Sequence, residues 1–66
     1  MREIWVVRVG KRWIVRLDGE EIRVAGDRSA AIDRASSLAQ LETPADVIVT
    51  GRDGSVEERR RFGVDD

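Results

Sequence analysis

Cysteine, histidine and tyrosine are absent from this sequence, and lysine, methionine and phenylalanine occur once each. Without cysteine no disulfide can brace the fold, and the redox state of a compartment leaves no mark. Without histidine or cysteine a zinc site has no ordinary ligand, and any other metal would have to be held by carboxylates alone. The same absences weigh against catalysis, because a serine or threonine nucleophile would have no imidazole to activate it. Paired acids such as Glu20 with Glu21, or Glu57 with Glu58, fall on strand-like runs. Neighbours on a strand point to opposite faces and cannot converge on one substrate atom. The chain is therefore expected not to be an enzyme and to carry no cofactor.

Long apolar runs are missing too. The opening Met1-Arg2-Glu3-Ile4-Trp5 lacks the apolar core of a signal peptide. No stretch approaches the roughly 20 residues that a membrane span needs. A cytoplasmic location without membrane contact is the expectation. Charge of one sign is also lacking: 12 basic residues face 13 acidic ones, for a formal net charge of −1. A polyanion binder usually carries a clear basic excess, so this balance argues against general nucleic-acid binding. Apart from Lys11 every basic residue is arginine, a bias that follows from codon usage or from a surface built to meet carboxylates and phosphates.

What is present is a globular balance, 41% hydrophobic and 38% charged, which sets the chain apart from disordered sequences. Its 66 residues allow one domain, expected over residues 1–64, with a frayed tail at 65–66. So short a chain buries only about 60% of its unfolded surface, which leaves self-association as a source of added stability.

Periodicity places the elements. Glu3 to Val9 and Arg12 to Leu17 alternate as strands around the turn Gly10-Lys11, which makes a hairpin. Asp18-Gly19 is a second turn, and Glu20 to Val24 a third strand with Ile22 and Val24 facing inward. Asp27 is a natural N-cap. From Arg28 to Leu41 the period becomes helical, with Ala31, Ile32, Ala35, Leu38 and Ala39 on one stripe. Thr43-Pro44 ends the helix. Asp46 to Thr50 reads as a buried strand. Gly51-Arg52-Asp53-Gly54 is a hairpin turn rather than a phosphate loop, since it does not lead into a helix. Ser55 to Phe62 is a charged edge strand. The expected fold is α+β: a single antiparallel sheet, β-β-β-α-β-β, with one helix packed on one face.

With the order of elements set, the residues that carry it resemble a family. Trp5-Val6-Val7, Trp13-Ile14-Val15, Ala31-Ile32-Asp33-Arg34-Ala35, Val47-Ile48-Val49 followed by Gly51-Arg52-Asp53-Gly54, and Arg61-Phe62-Gly63 are similar to the small bacterial domain-of-unknown-function family numbered 2188. The likeness covers nearly the whole chain. Members of that family often have Thr where Asp27 stands and His where Thr50 stands. The resemblance implies a small bacterial or phage protein and no known activity.

Trp5 and Trp13 are expected to share the helix-covered face. The opposite face then carries Ile4, Val6 and Ile14 among Arg8, Arg12, Arg16 and Arg23, an apolar centre ringed by arginine. These seven residues form the candidate interface, and Arg59, Arg60 and Arg61 a candidate basic patch. The leading reading is a non-catalytic interaction module that meets a protein partner or a second copy of itself. Nucleic-acid binding by the same face, and inhibition of a host defence complex by a phage or mobile-element protein, are the alternatives.

Overall fold

Tight turns and one helix cap divide the described residues into six elements. The computed structural model describes residues 1–63; Val64, the last residue of the expected domain, and the tail at 65–66, where fraying was expected, lie outside the described residues. The elements are β1 (Arg2–Val9), β2 (Arg12–Leu17), β3 (Glu20–Ala25), α1 (Arg28–Leu41), β4 (Ala45–Thr50) and β5 (Val56–Phe62). Asp18 and Gly19 both take positive φ, 50° and 88°, the geometry that a two-residue hairpin turn requires. Asp27 caps α1, its Oδ1 accepting from Ala30 N at 2.8 Å.

The five strands form one sheet in the order β3-β2-β1-β4-β5. It is mixed, not antiparallel throughout, because β4 pairs with β1 in parallel. Direction explains the correction. Two tight turns leave β3 running the same way as β1, and α1 carries the chain back. β4 therefore starts out parallel to both, and β1 has the free edge beside it. All six residues of β4 are buried: Ala45, Val47 and Val49 lie in the core under α1, and Asp46, Ile48 and Thr50 lie on the other face among the side chains of β1 and β5.

The core lies between α1 and one sheet face. Ile4, Val6, Trp13, Val15, Val47 and Val49 pack beneath Ala31, Ala35 and Ala39, with Leu17, Ile22, Leu38 and Phe62 at the margins. Trp13 is in this core, as expected; Trp5 is not, and Ile4 and Val6 take the place foreseen for it. Parity is the reason. The Gly10-Lys11 turn pairs Val9 with Arg12, Val7 with Ile14 and Trp5 with Arg16. Odd residues of β1 thus share a face with even residues of β2.

Two bulges shift faces again. In β3 the register slips so that Val15 opposes Arg23 and Arg16 opposes Glu21. Ile22 stays with the core, but Val24, expected inward, turns to the uncovered face and is 46% exposed. In β5 a similar slip sets Val56 opposite Thr50 rather than on the side of Glu58, Arg60 and Phe62.

Candidate interaction face

The face without a helix is ordered in rows that cross the strands. One row runs Val24, Ile14, Val7 over β3, β2 and β1. It continues with Thr50, one residue past the last pairing of β4 with β1, and ends at Val56 on β5. Thr50 spends its hydroxyl on Val6 O at 2.7 Å, so the row carries no side chain in need of a hydrogen-bond partner. Ile14 is 5% exposed and shielded by its neighbours, whereas Val24 and Val56 at the ends are open to solvent.

The next row reads Glu21, Arg16, Trp5, Ile48, Arg59 across all five strands. Trp5 stands at its centre, half-buried, with Nε1 donating to Glu3 Oε1 at 3.3 Å. Beyond it lie Glu3, Asp46 and Arg61. Arg61 Nε is 3.4 Å from Asp46 Oδ1. That is an electrostatic contact without hydrogen-bond geometry, and it leaves this buried carboxylate oxygen with no donor. At the other end Val9 opposes Arg12.

Residues 4–62, from the first core residue of β1 to the last residue of β5, match the family described as an uncharacterized protein conserved in bacteria, DUF2188. The chain belongs to the DUF2188 family. No curated protein and no solved structure matches it.

In this DUF2188 chain the seven residues expected to form one interface are divided. Arg12, Ile14 and Arg16 lie on the uncovered face, as expected. Ile4 and Val6 are fully buried under α1. Arg8, opposite Trp13, sits on the helix side and lines a cleft at the end of the sheet. Arg23 borders a groove with Leu17, Ile22, Leu38 and Leu41, also on the helix side. The basic patch divides as well. Arg59 and Arg61 face outward with Ile48 and Asp46, while Arg60 opposes Val47 and pairs with Glu58 on its own strand. Alternation alone separates Arg60 from its neighbours.

Trp5, Val7, Val24, Ile48, Val56 and Glu21 are among the face residues that sequence reasoning missed. For Trp5 and Val7 a signal was present: a two-residue turn with Val9 opposite Arg12 dictates the correct parity. For Val24 and Val56 there was none, because a bulge leaves no mark in a short charged strand. No helix of the described residues is long and apolar enough to cross a membrane.

Proposed function

We propose that this DUF2188 chain is a non-catalytic interaction module whose helix-free sheet face docks a second copy of the chain. The observation that carries the reading is the apolar row from Val24 to Val56, whose ends are 46% and 53% exposed. Polar contact residues flank it. Such a row is the core of a contact surface, with the charged residues as its rim.

Charge complementarity favours a second copy over an unrelated partner. β1 is the central strand of the sheet, so a two-fold axis along β1 overlays the two faces in full. That axis sets Trp5 and Val7 near their own counterparts, Val24 over Val56, and Glu21 over Arg59. A contact of this kind is isologous, each residue pairing reciprocally. Five strands about 4.8 Å apart and six residues about 3.3 Å each give a footprint of roughly 500 Å² per copy. The total, about 1,000 Å², falls in the size class of weak, transient contacts, below the roughly 1,200 Å² of stable ones.

Sedimentation equilibrium tests the reading. The wild-type chain is expected to dimerise, and Val24→Lys combined with Val56→Lys to give a folded monomer, since both positions are already solvent-exposed. Glu21→Arg or Arg59→Glu alone should weaken the dimer, and the two together should restore it. A chain that stays monomeric at millimolar concentration sinks the proposal.

One observation keeps nucleic-acid binding as a second reading. Trp5, flanked by Arg16, offers a stacking surface on the uncovered face. Glu3, Glu21 and Asp46 on the same face oppose it. This reading requires affinity that falls steeply with salt, and absence of binding at low salt excludes it.

A further inference from the structure

A cleft of about 710 Å³ opens on the helix side, at the carboxyl ends of the parallel strands β1 and β4. The β1–β2 turn, the β4–β5 turn and the start of α1 meet there. Its walls carry Arg8, Lys11, Arg28 and Arg52 against Asp27, Asp53 and Glu57, with Trp13 among the lining residues.

Each of those acids has a hydrogen-bond donor of its own, and only Glu57 is paired with a cation. Asp27 caps the helix through Ala30 N. Asp53 Oδ1 accepts from Ser55 Oγ at 2.7 Å and from Ser55 N at 3.0 Å. The hydroxyl bond and then the amide bond hold its carboxyl below the ordinary value of 3.8, so it stays ionised. Glu57 Oε1 accepts from Arg28 Nη2 at 2.7 Å. Arg28 Nε is buried without an acceptor. Arg8 gives its Nε to Gly10 O at 2.9 Å. Among the described residues no carboxylate pairs with Arg8, Lys11 or Arg52. Arg8 at the end of β1, Lys11 in the β1–β2 turn and Arg52 in the β4–β5 turn therefore border one cleft without a carboxylate paired to any of them, and its four cations outnumber its three acids by one.

We propose that this cleft binds a phosphate group through Arg8, Lys11 and Arg52. Guanidinium forks and an ammonium supply charge-assisted donors suited to a tetrahedral oxyanion. The phosphate is either that of a small phosphomonoester or a phosphodiester of a nucleic-acid backbone. The site stands apart from the proposed dimer face, and neither proposal depends on the other.

Backbone amide and Trp13 indole NMR signals of the wild-type chain should be followed during titration with inorganic phosphate and, separately, with a short DNA duplex. Controls match ionic strength with chloride. Saturable shifts are expected at Lys11, Arg28, Arg52 and the Trp13 indole, and Lys11→Ala or Arg52→Ala should each weaken binding about tenfold. Saturation by inorganic phosphate assigns the small ligand; a response to the duplex alone assigns the backbone. The proposal falls if neither probe gives saturable shifts beyond those of chloride. It also falls if the shifts centre on Arg12, Arg16 and Arg59, or if Lys11→Ala combined with Arg52→Ala binds as tightly as wild type.

Discussion

Gly63, the residue after β5, has φ at 71°, and a Cβ built there would lie 2.5 Å from Thr43 Cβ and 2.8 Å from its Cγ2. Thr43 is β-branched, so the blocking atoms are tied to the backbone and cannot swing aside. Gly54 has a comparable φ of 86° but open space where its Cβ would be. The pair separates the two costs of adding a methyl group. Gly63→Ala should destabilise the chain by about 1–3 kcal/mol, and Gly54→Ala by clearly less, measured by urea unfolding. Equal losses would mean that the contact with Thr43 contributes nothing. At this scale the sequence was partly legible. The N-cap role of Asp27 follows from its place before a helical stripe, whereas the closeness of Gly63 to Thr43 arises only when β5 returns to the far end of β4.

The helix was read to its ends, Arg28 to Leu41, because fourteen residues of consistent period lie between an Asp cap and a Thr-Pro stop. Its three fully buried positions are all alanine, so the backbone of α1 lies close to the sheet and there is no room for a larger side chain. Ala35→Leu is expected to push the helix away and cost about 1–3 kcal/mol in a denaturation experiment. An unchanged midpoint would show that the layer is loosely packed. The strands were also located correctly, but not all of their faces were. Alternation counted on odd positions in both strands puts Trp5 inside and Ile4 and Val6 outside, whereas the hairpin register sets odd residues of β1 beside even residues of β2. Strand periodicity separates two faces without saying which one the helix covers.

For the whole molecule, α1 covers one side of a five-stranded sheet and leaves the other uncovered. Charge does not prevent two such faces from meeting, since the net value is only −1. If they meet, folding is coupled to association, and the melting temperature should rise with protein concentration. A calorimetric series across a hundredfold range of concentration, about two decades, checks this. The Val24→Lys and Val56→Lys double variant should lose the dependence.

Residue order alone determined the six elements, the helix cap, the turns and the membership of one helix and one sheet in a single layered fold. Each of these is a local matter of period, cap or turn chemistry within a few residues. Tertiary structure decided which edge of the sheet received β4, hence the parallel pair at its centre, and which residues share the uncovered face. Those outcomes depend on register between strands far apart in the chain. A single-residue offset at a turn or bulge reverses every side chain beyond it, which is why Trp5 faces outward and Ile4 does not.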